Sequence, residues 1–336
     1  MKKIILLISL ILSTQNIKPN SIVKKMIVTV PVANLLVTPS LKFDDNLHEK
    51  VFGNLPLAAH DFLKTLPLEN QNPNLDSQLL FGERILCLEE KNNWLKVQIL
   101  EQYDIDADNN PTYLIGYIYK TQAIEVENFP ENNLIVCTHN TKVYSIDGSK
   151  ELTQLSIGTK LNGKKIDSNW YEINFLNEQF GKINQSSIIN INDFKNKTKL
   201  ETRKNIIKTA KSFLGFPYYW GGKSSYKVDC SAYCYLTFLV NGIQIARNAK
   251  GQFAMSKKIK SDELQKGDLI FLENPKKSNR IVHVMIYMGE DKIIECNCPL
   301  GIRIISSSEK FGKNISEINF GECINDNTIY FGSIIN

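Results

Sequence analysis

Two side chains far apart in the chain could together break an amide bond. Cys230 offers a thiol and His283 a proton acceptor, and His283 is the only histidine after residue 139. A thiol nucleophile needs such a partner, which takes its proton and later protonates the leaving amine. The local sequence favours the reactive form of the sulfur. Asp229 suits a helix N-cap, and the apolar-periodic stretch from Ala232 to Val240, ended by Asn241-Gly242, places Cys230 in a helix's first turn. The positive end of the helix dipole stabilises a thiolate there. Tyr233, Leu236, Phe238 and Leu239 make this a buried central helix, and Cys234, one turn on, reads as a packed thiol. A lone cysteine is usually filler and a lone histidine usually structural; it is their pairing that points to catalysis.

The base must come from a strand. Arg280 to Gly289 alternates, turns at Gly289-Glu290-Asp291, and returns from Lys292 to Cys296. Alternation lets His283 face a cleft while its neighbours face away. Before the helix, Tyr218-Tyr219-Trp220-Gly221-Gly222 forms an aromatic and glycine-rich approach. An amphipathic helix is expected from Leu200, with Ile206, Ile207, Ala210, Phe213 and Leu214 inward, stopped by Gly215 and Pro217. The basic run Lys195, Lys197, Lys199, Arg203, Lys204, Lys208 and Lys211 reads as a solvated linker and helix face.

Further upstream a pattern occurs twice. Glu83 to Val97 contains Asn93-Trp94 and leads, after a long polar insertion, to Gly116-Tyr117-Ile118; Lys160 to Ile173 contains Asn169-Trp170 and leads to Gly181-Lys182-Ile183. Each unit is an alternating strand, a polar turn, a tryptophan-led strand and a glycine-led strand. The pattern resembles the bacterial SH3-like barrel, present over residues 28–128 and 132–194, with 41–78 as a long insertion in the first copy.

At 336 residues the chain suits two or three domains, and 43% hydrophobic with 22% charged residues excludes disordered and fibrous classes. A net charge of +5 is too mild to indicate nucleic acid. Met1-Lys2-Lys3 followed by apolar Ile4 to Leu12 reads as a secretory signal within residues 1–20, too short for a permanent span. No other stretch is long and apolar enough to cross a bilayer, and no stable membrane anchor is expected. The seven cysteines include no C-x-x-C pair, so a metal site lacks support, and their odd number requires at least one free thiol or an intermolecular bridge.

From Leu200 to the end the chain resembles the NlpC-type cell-wall cysteine peptidases. The matching pieces are Gly215 to Gly222, Asp229-Cys230-Ser231, Lys266-Gly267-Asp268-Leu269-Ile270-Phe271, and His283 to Gly289. The resemblance implies an α+β fold with a papain-like peptidase domain over 200–336, preceded by two SH3-like barrels, and no cofactor. Cys230 would be nucleophile and His283 base. Tyr219 would hold substrate and oxyanion beside the Cys230 N–H, and Asp229 and Ser231 would bind the substrate backbone. The double-barrel members cut γ-D-glutamyl-L-diamino acid bonds in muropeptides and bind a free N-terminal amine with an acid and a tyrosine of the first barrel; Glu83 and Tyr113 fall at those places. Expected partners are peptidoglycan stem peptides or muropeptides, not nucleic acid, and the chain would be exported to the periplasm or cell wall.

Two positions depart from the family. Its third catalytic residue is a neutral polar side chain, whereas twelve residues after His283 this chain has Glu295. A carboxylate can orient an imidazole and stabilise its charge; Asn297, on the same face, is the alternative. The family's Arg-Asp-Ser run becomes Arg247-Asn248-Ala249, altering a subsite. Another amidase or cross-bridge specificity, a decayed wall-binding protein and a cytoplasmic recycling enzyme are the competing readings.

Overall fold

The computed structural model describes residues 23–39, 74–106, 108–174, 179–274, 276 and 280–335. The expected signal segment and most of the 41–78 insertion lie outside these residues.

The first module contains β1 (Lys24–Val28), β2 (Val32–Leu36), β3 (Leu75–Leu80), β4 (Arg84–Lys91), β5 (Trp94–Ile105), β6 (Pro111–Tyr119) and β7 (Ala123–Glu125). They form one antiparallel sheet in the order β3-β2-β6-β5-β4-β1-β7. Residues 75–78 are therefore strand rather than insertion, because they pair with β2. The polar stretch after Val97 is not a loop either. It prolongs β5 and β6 into a hairpin whose far end pairs Tyr103 with Tyr113. The β4–β5 turn falls at Asn92-Asn93, with Asn92 at φ 55°, a conformation asparagine tolerates.

The second module runs through β8 (Leu134–Val136), β9 (Thr141–Tyr144), β10 (Glu151–Leu155), β11 (Lys160–Leu161), β12 (Gly163–Lys165), β13 (Trp170–Asn174), β14 (Phe180–Asn184) and β15 (Ile188–Asn190). Its sheets are ordered β10-β9-β14-β13-β12 and β11-β8-β15. Trp94 and Trp170 open β5 and β13, equivalent strands of the two modules, as the repeat requires. In neither module do the outermost strands pair with each other among the described residues.

The last domain begins with α1 (Lys199–Ser212). Thr198 and Glu201 form a reciprocal capping box at its start. Ile206 and Ala210 are buried on its inner face, whereas Leu214 lies beyond the helix end and is exposed. Next come α2 (Cys230–Leu239) and α3 (Ala249–Met255). All ten residues of α2 are buried, so it is the central helix the apolar pattern requires. The sheet contains β16 (Lys257–Ile259), β17 (Leu269–Asn274), β18 (Arg280–Gly289), β19 (Lys292–Asn297) and β20 (Gly301–Ser306), then α4 (Ser307–Phe311), β21 (Glu322–Ile324) and β22 (Asn327–Ser333). Its order is β16-β22-β17-β18-β19-β20, with β21 on β22. The α2 helix packs on β18 and β19, and the largest core contains residues from all three parts of the chain.

One contact in that core titrates. His139, from the second module, packs its ring 4.4 Å from Phe213 and 4.6 Å from Phe216, centroid to centroid. Its Nε2 lies 3.1 Å from Ser212 Oγ, and that hydroxyl donates its own proton to Thr209 O at 2.7 Å. Nε2–H must therefore donate, and Nδ1 is buried without a hydrogen-bond partner. Burial pulls the ring's pKa from 6.5 down to about 4. As pH falls through 6.5 the unfolded chain takes up this proton first, so stability is lost between pH 6.5 and about 4 and then levels off. The loss amounts to about 3 kcal/mol. His139→Phe should remove it, making urea-unfolding free energies less dependent on pH across this window. Identical pH dependence in variant and parent would refute the assignment.

Candidate active site

The nucleophile sits where the capping rule puts it. Asp229 caps α2, accepting the Ala232 N–H at 2.7 Å, and Cys230 is the first helical residue, 8% exposed. Its own N–H is among those a helix start leaves without an intrahelical partner, so it can serve an oxyanion.

His283 reaches the site from β18, whose neighbour β17 places Leu272 opposite it. Its Nε2 lies 3.0 Å from Glu295 Oε2. With Nε2 committed there, Nδ1 is the nitrogen left for the hydrogen bond that joins the ring to Cys230. Burial alone would discharge the ring, but the hydrogen bonds and charges of Cys230 and Glu295 outweigh it, and the pKa is pushed up to about 9. The site thus holds a charged imidazolium beside the Cys230 sulfur. Burial also opposes the Glu295 charge, but bonds from His283 and Lys310 hold its carboxyl far below the usual range. Asn297 does not take the third place; its Nδ2 approaches Glu295 Oε1, at 3.5 Å.

The tyrosine assignment changes. Tyr218, not Tyr219, faces the nucleophile: its hydroxyl is under the electrostatic influence of Cys230 and Asp229, and its ring shares a core with Cys230. Burial, reinforced by those negative charges, keeps the phenol protonated and able to donate. Tyr219 instead packs with Leu36 and Leu75 of the first module. The segment is extended, with Tyr218 bridged to Val228, so consecutive side chains take opposite sides. Sequence shows two adjacent tyrosines but not which side of the segment the thiol occupies.

Asp229 and Ser231 are also corrected. Besides Ala232, the Asp229 carboxylate accepts Ser231 Oγ at 2.8 Å, Gly221 N–H at 3.1 Å, and both Arg247 Nη atoms, at 3.1 and 2.8 Å. Five donors fill the roughly four lone-pair sites a carboxylate offers, leaving none for substrate. Ser231 Oγ is likewise taken up between Asp229 and Arg247. Both side chains position the helix start.

Arg247, which in the sequence belongs to the altered Arg247-Asn248-Ala249 run, is wholly buried and forms the scaffold. Its Nε donates to Ser77 Oγ at 2.8 Å, and its backbone N–H to Tyr103 O at 2.8 Å, both in the first module. Two close approaches reinforce the junction. Gly221, at φ +73°, would bring a Cβ within 2.9 Å of Leu75, and a Cβ on Gly251 would lie 1.9 Å from Asp104 Oδ1.

Glu83 is already engaged. It forms an ion pair with the buried Lys223 and accepts Gln102 Nε2 at 2.9 Å. It lines a small cavity with Tyr235 and Leu239, further along α2 from Cys230. Tyr113 stays 41% exposed on β6, opposite Tyr103. The first-module carboxylate beside the nucleophile's scaffold is Asp76 on β3. Burial raises its pKa, Arg247 opposes this, and Asp229 and Asp104 add to it. No hydrogen bond or ion pair engages Asp76 among the described residues. Nothing in the local sequence distinguishes it, because its surroundings come from three distant segments. None of the seven cysteines forms a disulfide, and burial pushes the thiols of Cys234 and Cys296 well up.

With this geometry in place, comparison with known proteins is informative. Residues 215–315 match the NlpC/P60 family model. A γ-D-glutamyl-L-lysine dipeptidyl-peptidase of Bacillus subtilis is 28% identical over 74% of this chain and 77% of its own length. Dipeptidyl-peptidase 6 of Lysinibacillus sphaericus is 26% identical over 64% of this chain and 78% of its own. The crystal structure of an NlpC/P60 family protein from Bacillus cereus superimposes with a TM-score of 0.76 at 21% identity, over 93% of this chain and all of that one. The fold likeness thus spans the β-modules as well as the last domain.

The two tyrosines make a direct test of the geometry. Tyr218→Phe should lower kcat on a peptide substrate by about 100-fold, the usual cost of losing one oxyanion donor. Tyr219→Phe should leave kcat within about threefold, its role being packing. The reverse ranking would restore Tyr219 to the site.

Proposed function

From the premise that this chain belongs to the NlpC/P60 family and is a cysteine peptidase, we propose that it cleaves the γ-D-glutamyl-L-diamino acid bond of small peptidoglycan peptides bearing a free N-terminus. The observation that carries this reading is the seated Cys230–His283–Glu295 centre, combined with relatives named as γ-D-glutamyl-L-lysine dipeptidyl-peptidases that match three quarters of the chain. Cys230 sulfur attacks the γ-glutamyl carbonyl carbon, and the resulting oxyanion receives hydrogen bonds from the Cys230 N–H and the Tyr218 hydroxyl. As the C–N bond breaks, His283 gives its proton to the departing diamino acid amine. Water, deprotonated by His283, then resolves the thioester and releases the dipeptide and the thiol.

The two β-modules are read as SH3-like barrels; the paired tryptophan-led strands and the fold likeness to the B. cereus protein support this. The first would wall the cleft and limit it to short peptides. Asp76 is the carboxylate we assign to the substrate's free amine. Asp76 makes no ion pair of its own, and the one cation acting on it, Arg247, is already paired with Asp229, so an ammonium group would supply a partner. Export to the periplasm or cell wall is part of the same proposal and rests on the Lys2-Lys3 and Ile4 to Leu12 pattern.

The test is release of L-Ala-γ-D-Glu from L-Ala-γ-D-Glu-L-Lys, using free and N-acetylated substrate. N-acetylation should lower kcat/KM at least about 100-fold, as loss of a charge-assisted contact in a desolvated site does. Asp76→Asn should do the same to the free peptide, and Glu83→Gln should act on stability instead. Turnover surviving in Cys230→Ala would sink the mechanism. An unchanged rate on the acetylated peptide would sink the amine requirement.

A further inference from the structure

The Glu295 carboxylate is not shared between a histidine and solvent. It is 0% exposed, and cations surround it. Oε2 accepts His283 Nε2 at 3.0 Å and Lys310 Nζ at 2.6 Å. Oε1 accepts Arg303 Nε at 3.2 Å and Nη2 at 3.0 Å. Arg303 stands directly across the β19–β20 ladder from Glu295, and Lys310 projects from α4, which follows β20 without a break. Lys310 is itself largely buried, its side chain 12% exposed. The position that departs from the family's neutral choice is thus met by two positive charges from the next strand and helix.

We propose that Lys310 and Arg303 are positioning residues of the catalytic centre: they fix the Glu295 carboxylate against His283 and blunt its charge, so that the imidazolium stays able to release its proton to the leaving amine.

A buried carboxylate facing an imidazolium alone would grip the proton hard, which favours the ion pair but hinders the acid step. Sharing Oε2 with an ammonium weakens that grip. The charge balance points the same way. Thiolate, imidazolium and carboxylate together carry one net negative charge, and with Arg303 and Lys310 the cluster carries one net positive charge, which also favours the thiolate. The ionisable groups around the site come from several elements: Tyr218 on the extended segment before α2, Asp229 and Cys230 at the start of α2, Glu295 and Cys296 on β19, Arg303 on β20 and Lys310 on α4. On the β17 side Leu272 is apolar, and Glu273 is tied to Tyr330 at 2.7 Å. Lys310 is the charged group that shares an oxygen with His283, so its removal should act most directly.

This inference rests on the cysteine-peptidase reading but not on the identity of the peptide. Its test uses iodoacetamide alkylation of Cys230 across pH, with hydrolysis of the γ-D-glutamyl tripeptide measured alongside. Lys310→Met keeps the packing and removes the charge. Its alkaline limb in alkylation should move up by about one pH unit, the size of shift one nearby charge produces. Its kcat on the amide should fall about 10-fold with KM within about twofold, the mark of an interaction used only in the transition state. Lys310→Arg should keep the parent profile. A residue that only stabilises the fold would lower Tm in Lys310→Met without moving the limb, and that result overturns the proposal. Should Lys310→Met not fold, Glu295→Gln/Lys310→Met removes both charges together. Its alkaline limb should lie above that of the single Glu295→Gln variant by about one pH unit, and equal limbs would overturn the proposal. Alkylation decides the matter even if the tripeptide is not the substrate.

Discussion

Everything at this site hangs on the ion pair between Asp229 and Arg247. Asp229 starts the helix that presents Cys230, and Arg247 spans its carboxylate with both Nη atoms while reaching Ser77 in another module. Both partners are buried, so neither can be removed alone without stranding a charge. The pair therefore does two jobs. It holds the first turn of α2 in one orientation, and it makes that orientation depend on the first β-module being docked.

The docking is polar as well as apolar. The module contributes Gln78 to the Lys223 N–H at 2.9 Å, Glu83 to the Lys223 side chain, and Asp104 to Asn248 at 3.1 Å. Leu75 and Leu36 close the apolar part around Tyr219. Residues adjacent in sequence to the nucleophile are spent on this junction, which is why Asp229 and Ser231 have little left for a substrate. The carboxylate that is left unpartnered, Asp76, belongs to the docked module. Two acids of the same type thus differ in fate: Asp229 forms the ion pair with Arg247, and Asp76 forms none among the described residues.

On the other side of the sulfur the logic is electrostatic. A carboxylate in place of a neutral third residue would overcharge a closed site, and the observed structure surrounds it with Arg303 and Lys310. The register of β19 on β20 puts Arg303 opposite Glu295, and the immediate start of α4 brings Lys310 to the same group. Neither cation stands out in the sequence, where both look like ordinary surface charges.

Read from sequence alone, the nucleophile, the base, the capped helix, the hairpin carrying His283 and the repeated tryptophan-led modules are all legible, because each depends on neighbours within about a dozen residues. Helix capping, strand alternation and turn chemistry are local forces, and local sequence reports them faithfully. For the same reason the sequence narrows the partner of His283 to Glu295 or Asn297, both on one face of the returning strand, and the structure chooses Glu295. What only the tertiary structure decided is which of two adjacent tyrosines meets the sulfur, that Arg247 is scaffold, that Glu83 is spent on Lys223, and that Asp76 lies near Arg247, Asp229 and Asp104 with no hydrogen bond or ion pair to its side chain among the described residues. Each of these turns on burial and on charges brought together from segments tens to hundreds of residues apart. The strength and even the purpose of a charged side chain depend on that environment, which the order of residues does not state.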